Sequence, residues 1–218
     1  MTASRFITFE GGEGAGKSTH IRRLGEAIRR LGETVTLTRE PGGSPGAEEI
    51  RELLVGGAVG RWDACTEALL HYAARRDHVE RTIKPALAAG QWVISDRFSD
   101  STLAYQGYGQ GLGRDWVEAL HRHALGDLRP ALTLILDVPV DLGLARAAKR
   151  RSESKATGED RYERMGRDFH ERLRQGFLDI ARREPGRCAV IDAARPIDEV
   201  ADNVRRAVRE RLGLGLPK

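Results

Sequence analysis

Gly11-Gly12-Glu13-Gly14-Ala15-Gly16-Lys17-Ser18-Thr19 satisfies the pattern G-x-x-x-x-G-K-[ST] from Gly11 to Ser18, in a setting where that pattern has mechanical meaning. Before it, Phe6-Ile7-Thr8-Phe9 alternates β-branched and aromatic residues and reads as a buried strand. After it, Ile21, Leu24 and Ile28 recur at helical spacing, with Leu31 one step on, before Gly32 stops the helix. Strand, glycine loop and helix together predict a phosphate site. Glycines let the backbone curl so that successive N–H groups face one concavity, and the positive end of the helix dipole adds to the field there. In such a loop Lys17 reaches the β- and γ-phosphates and the Ser18 hydroxyl ligates Mg²⁺.

The chain has 218 residues and no linker divides it, which predicts a single domain over 1–218. A hydrophobic share of 40% against 31% charged suits an ordinary globule with a real core. No apolar run is long enough to span a bilayer, and Met1-Thr2-Ala3-Ser4 leads straight into the first strand without a signal peptide. Cys65 and Cys188 stand far apart and suggest neither a disulfide framework nor a metal site, so a reducing cytoplasm is expected. The net charge of +4 could point to nucleic acid. The arginines, however, are spread through helices among carboxylates, with no basic tail, which favours an enzyme handling several phosphates.

Thr34-Val35-Thr36-Leu37-Thr38 reads as a second strand that delivers Arg39 and Glu40 before Pro41-Gly42-Gly43 turns the chain. Ala47 to Leu54 predicts a short helix and Thr66 to Ala89 a long one. On the long helix Leu69, Tyr72, Val79 and Ile83 form one stripe and His71, Arg75 and His78 another, as if it lay between core and cleft. Trp92-Val93-Ile94-Ser95, Leu132 to Asp137 and Cys188 to Ile191 are further strands. Helices are expected at 115–125, 140–151, about 160–183 and 197–212. The class is α/β: a five-stranded, parallel sheet flanked by helices on both faces.

A P-loop fold needs a second acidic group near Mg²⁺ at the end of a neighbouring apolar strand. Asp96 fits better than Asp137, because Arg97 beside it supplies a phosphate clamp and no basic residue adjoins Asp137 in sequence. Arg39 and Arg97, both at strand ends, would face the cleft near the glycine loop and grip a second anionic substrate. Lys149 to Asp160 is polar and flanked by Arg146, Arg150, Arg151 and Arg161. That is the composition of a lid, about 149–162, which would bring positive charge and exclude water during phosphoryl transfer.

A series of blocks runs through the chain: Phe9-Glu10-Gly11, Thr38-Arg39-Glu40-Pro41-Gly42-Gly43, Tyr72-Ala73-Ala74-Arg75, Ile83-Lys84-Pro85-Ala86-Leu87 and Asp96-Arg97-Phe98. It continues through Ala104-Tyr105-Gln106-Gly107, Leu136-Asp137-Val138-Pro139 and Asp160-Arg161-Tyr162-Glu163. In these blocks the chain resembles the bacterial thymidylate kinases over nearly its whole length. The resemblance implies phosphorylation of dTMP to dTDP with ATP and Mg²⁺, in a homodimer joined through packed helices, with no nucleic-acid or membrane partner. It implies ATP on Gly11 to Thr19, a phosphate clamp of Arg39 and Arg97, and Glu13 near the sugar 3′-hydroxyl and the transfer site. Arg51, Arg75 and Gln106 would lie at the thymine edge, Ser101 and Thr102 on the same wall, and Tyr105 beside C2′, where a ribose hydroxyl would be crowded. The loop has no arginine between Gly11 and Gly16, which assigns the catalytic arginine to the lid: Arg161 by motif, with Arg150 and Arg151 behind it.

Two departures stand out. The position that usually stacks a phenylalanine on thymine holds His71, with Tyr72 next along as an alternative, and the lid carries an extra polar run, Ser152 to Glu159. Other readings make different demands. A P-loop kinase of another nucleotide or of a deoxynucleoside would need a carboxylate base, for which Glu40 is the candidate. A GTP switch would carry Asn-Lys-x-Asp, which is absent. A nucleic-acid binder with a vestigial loop would be held on DNA at moderate salt.

Overall fold

The computed structural model describes residues 2–153 and 161–217; residues 154–160, most of the expected lid run, lie outside the described residues. Five strands, β1 (Thr2–Glu10), β2 (Val35–Arg39), β3 (Trp92–Asp96), β4 (Arg129–Asp137) and β5 (Cys188–Asp192), pair in the order β2-β3-β1-β4-β5. Every pairing is parallel. The chain first moves to one side of β1 and then to the other, so strand order reverses beside the strand that feeds the glycine loop. Ligands bind at that point in open α/β sheets.

The period-two pattern of β1 splits the interior. Ile7 and Phe9 enter a core with Ile21, Leu24 and Ile28 of α1 (Lys17–Arg29) and Val200, Val204 and Val208 of α9 (Ile197–Leu212). Phe6 faces the other way. It joins Tyr72 of α3 (Ala64–His78), Ile83, Phe98, and Phe169, Phe177 and Ile180 of α8 (Arg167–Arg183). Full burial of one such side chain stabilises by about 1.5–3 kcal/mol, so both faces of β1 are anchored. The remaining helices are α2 (Pro45–Val55), α4 (Lys84–Ala88), α5 (Ser99–Thr102), α6 (Arg114–Leu125) and α7 (Val140–Glu153).

Several expectations need correction. The long helix starts at Ala64, where Asp63 accepts hydrogen bonds from the Cys65 and Thr66 amides, and opens into a wide π turn over Val79–Ile83 before α4. Pro85, with no N–H to give, sits just beyond that turn. Leu69 is not on the core stripe; it is 49% exposed. α8 begins at Arg167 rather than near 160. A helical segment, α5 running into a π turn over Leu103–Gly109, was unforeseen. Its Gly107 and Gly109 make poor helix formers, but an added Cβ at Gly109 would stand 2.6 Å from the Phe169 ring, so close packing requires the glycine.

Candidate active site

Parallel register sets the site. Phe9 and Arg39 both pair with Asp96, so the C-terminal ends of β1, β2 and β3 lie at one level. The glycine loop leaves β1 there. Gly11 (φ +129°) and Gly14 (φ +68°) adopt conformations other residues avoid, and Cβ atoms on them would strike the Leu136 and Gly143 carbonyls at 2.4 and 2.0 Å. Gly16 (φ +86°) is the N-cap of α1 and no side chain caps that end, which leaves the N-terminal amides for an anion. Lys17 folds over the loop, donating to the Gly11 and Gly12 carbonyls at 3.1 and 2.9 Å. The Ser18 hydroxyl donates to Asp96 Oδ2 at 2.8 Å, so the two residues expected to hold Mg²⁺ are side by side.

Arg97 is the only non-glycine with positive φ (+74°) among the described residues. Its guanidinium donates to the Gly11 carbonyl (3.1 Å), Ser101 Oγ (3.1 Å) and Glu13 Oε1 (2.9 Å), and it lies 5.0 Å from the Tyr105 ring centre. The Tyr105 hydroxyl donates to the same Glu13 oxygen at 2.6 Å. Burial alone would raise the Glu13 carboxyl; Arg97, Lys17, the Tyr105 hydroxyl and Arg150 outweigh it and hold the group down at about 2. Glu13 is therefore a carboxylate across the working pH range. Burial and Arg97 push Lys17 down to about 8, against the pull of Glu13, Asp96 and Glu10.

On the other side of Arg97 lies a wall of buried polar side chains. Arg75, 2% exposed, donates to Glu40 (2.6 Å), Thr102 Oγ1 (3.0 Å) and the Phe98 carbonyl (3.0 Å), and stacks 4.6 Å from the Tyr72 ring centre. His78 shares Glu40 from its second oxygen at 3.0 Å. Gln106 and Gln110 donate to Glu67 Oε1 at 2.6 and 2.8 Å, and Arg161 pairs with Glu67 Oε2. His71 Nε2 lies 2.9 Å from the Tyr162 hydroxyl, and the Tyr162 ring packs edge-on to Tyr105 with centres 5.2 Å apart.

A strand-ended phosphate cradle facing an arginine, a carboxylate and an aromatic wall is the layout of a two-substrate phosphotransferase. The family model described as thymidylate kinase matches residues 9–204. The chain belongs to the thymidylate kinase family. It is 56% identical over 214 residues to a thymidylate kinase from Caulobacter vibrioides, covering 98% of this chain and all of that one. It is 54% identical over 200 residues to one from Dinoroseobacter shibae, covering 92% and 94%. The crystal structure of thymidylate kinase from Ehrlichia chaffeensis superimposes with a TM-score of 0.73 at 36% identity, covering 94% of this chain and 97% of that one.

Within this thymidylate kinase fold the expected residues divide into groups. Lys17, Ser18, Asp96, Glu13, Arg97, Ser101 and Tyr105 converge on the glycine loop. Arg39, at the end of β2, instead pairs with Glu48 at 3.0 Å and is exposed. Arg51 donates to the Pro41 carbonyl at 2.7 Å. Arg75, Thr102 and Gln106 are buried in the wall. Arg75 and His78 thus form a paired, buried row rather than a solvated one. Tyr72 is excluded from stacking in a pocket, since its ring is in the core and its hydroxyl lies 3.3 Å from His121 Nδ1. His71 lies against Tyr162 instead, and burial together with Arg75, Arg161, Arg97 and Arg51 lowers it to about 3, so it is neutral.

Asp137 does have a basic partner: Arg174 grips it with two hydrogen bonds of 2.7 and 2.8 Å, which removes it from competition with Asp96. Glu40 is held at both oxygens by Arg75 and His78 and has none left to act as a base. Arg161, the motif choice for the lid arginine, is 1% exposed and committed to Glu67 and the Leu54 carbonyl. Arg150 and Arg151 instead share Glu163 on the surface, and the Arg150 charge reaches Glu13. Residues without an expected role also enter the site. Tyr162 and Glu67 build the wall, and Glu10 sits beneath Arg97. A charged residue closing an apolar core strand was the available signal for Glu10.

Proposed function

We propose that this chain transfers the γ-phosphoryl group of ATP to dTMP, giving ADP and dTDP. The observation that carries the reading is the Arg97–Glu13–Tyr105 cluster, built directly against the glycine loop. Arg97, in this reading the acceptor-phosphate arginine, is hydrogen-bonded to the glycine loop itself. Phosphoryl transfer asks mainly for positioning and charge neutralisation, and the acceptor is already an anionic oxygen, so no strong base is needed. The commitment of Glu40 to Arg75 and His78 weighs against a kinase of neutral nucleosides.

In this reading the loop amides and Lys17 hold the ATP phosphates. Arg97 holds the dTMP phosphate, with Arg39 joining after leaving Glu48. His71 and Tyr162 contact the base, with Arg51, Arg75, Thr102 and Gln106 behind it, and Tyr105 crowds C2′. Arg150 is the preferred lid arginine. The hydroxyl of Ser18 and the carboxylate of Asp96 form a hard-oxygen pair that suits Mg²⁺ together with phosphate oxygens and waters. Bound there, Mg²⁺ would neutralise charge on the donor phosphates. A homodimer is part of the proposal; exposed Leu69 on α3 and Leu53 on α2 are apolar surface such a contact could cover. Light scattering at micromolar concentration tests it.

The direct test is an acceptor screen with ATP and Mg²⁺ over dTMP, thymidine, dUMP, CMP and GMP. A preference for dTMP in kcat/KM is expected; equal or better use of thymidine would refute the reading.

A further inference from the structure

Glu10 is a fully buried carboxyl group at the end of β1, raised to about 8 by burial and by Asp100 beside it, and the hydrogen bonds it accepts come from two residues of one turn. Phe98 N–H donates to Oε1 at 2.8 Å, Ser101 N–H to the same oxygen at 3.3 Å, and the Ser101 hydroxyl to Oε2 at 2.6 Å. Its neighbour Asp100, equally buried, has the bidentate Arg187 as a counter-charge. Among the described residues no ion pair grips Glu10 in this way. A buried carboxyl group held by neutral donors is costly, so what it holds is informative.

What it holds is the turn carrying Arg97. That residue is trapped in a left-handed conformation, with its N–H on the Phe9 carbonyl at 2.9 Å and its carbonyl accepting from Ser95 Oγ at 2.8 Å. The chain then passes directly to the Phe98 amide on Glu10. The Ser101 oxygen that donates to Glu10 also accepts from the Arg97 guanidinium at 3.1 Å. Because the Ser101 proton is drawn to Glu10, its lone pairs are left facing Arg97. Backbone and side chain of Arg97 are thus both referred to one carboxylate.

We propose that Glu10 is a positioning residue for the acceptor phosphate: through Phe98 and Ser101 it fixes where the Arg97 guanidinium points. This rests on the dTMP kinase reading above, in which Arg97 grips that phosphate. Glu10→Gln keeps the shape and the acceptor for the two amides. Its amide nitrogen, however, would donate to Ser101 Oγ instead of accepting from it.

The test uses the full chain and calorimetry at about pH 9, where the Glu10 carboxyl is ionised, with two ligands, dTMP and thymidine, which differ only in the phosphate Arg97 grips. Glu10→Gln should weaken dTMP binding about tenfold, the scale of one hydrogen bond to a charged group. Thymidine binding and KM for ATP should stay within about twofold, a margin small beside that hydrogen-bond scale. In an Arg97→Lys background the same change should cost less than about threefold, because coupled residues are not additive. Equal weakening of both ligands would mean a merely structural role, and unchanged dTMP binding would mean no role; either overturns the proposal. Should Glu10→Gln fail to fold, Ser101→Ala carries the test, with the same dTMP-against-thymidine split expected and a uniform effect overturning it. A wild-type chain that does not prefer dTMP overturns the functional reading; one that does, with no split in these variants, overturns only the role of Glu10.

Discussion

Glu13→Gln isolates the charge at the junction of the two substrate sites. Glutamine keeps the shape of the protonated acid, so the variant reports what ionisation contributes. The neighbourhood of Arg97, Lys17 and Tyr105 carries the carboxyl from 4.5 to about 2. At about 1.4 kcal/mol per tenfold change in proton affinity, this corresponds to about 3 kcal/mol of native-state stabilisation, counted once because Arg97 shares it. The folded pKa is depressed, so the contribution is complete above the unfolded value of 4.5 and is lost as pH falls towards 2. At pH 7 the wild-type chain should therefore exceed Glu13→Gln by about 3 kcal/mol. Near pH 3.5 the unfolded carboxyl is about nine-tenths protonated, which removes about 1.4 kcal/mol and leaves roughly 2. Urea unfolding of both chains at the two pH values measures this, and carboxylates common to both cancel in the difference. A difference below about 1 kcal/mol at pH 7, or one that grows on acidification, would refute the electrostatic account of Glu13.

Lys17→Ala should abolish transfer while dTMP binding by calorimetry stays within about twofold, since the hydrogen bonds the lysine donates go to the Gly11 and Gly12 carbonyls of the glycine loop. His71→Phe should lower KM for dTMP about threefold by enlarging the stacking face, within the range of aromatic pair energies; an unchanged or higher KM would count against His71 as the stacking residue. Arg161→Ala should destabilise the chain by about 3–5 kcal/mol, because it strands Glu67 in the interior. Arg150→Ala should leave the melting temperature alone and lower kcat about a hundredfold or more, as loss of a transition-state charge does. The reverse pattern would return the lid role to Arg161.

The chain's linear order already contained the proposed donor half of the site. A glycine loop between an apolar strand and an amphipathic helix is local information, because the atoms that cradle phosphate are consecutive backbone amides. The parallel sheet was legible for the same reason: Trp92 to Ser95 and Leu132 to Leu136 are apolar runs whose burial follows from composition. Glu13 and Arg97 could be named from their motifs, but only the fold puts one hydrogen bond between residues 84 positions apart.

Where the sequence misled, long-range pairing was the cause. Asp137 looked unpartnered because Arg174 is 37 residues away, and nothing near Arg161 in sequence announced its buried pairing with Glu67, 94 residues back. Tyr72 and His71 are adjacent, yet one enters the core beside His121 and the other the acceptor wall, a choice made by helix rotation against the sheet. The helical form of Ser99–Gly109 was invisible because its glycines speak against a helix until Phe169 packs on Gly109, and Leu103 and Val117 on Gly107. The glycine loop, then, is written in sequence because its contacts are between neighbours. The proposed acceptor pocket belongs to tertiary structure, because each of its charges is defined by a partner from another strand or helix.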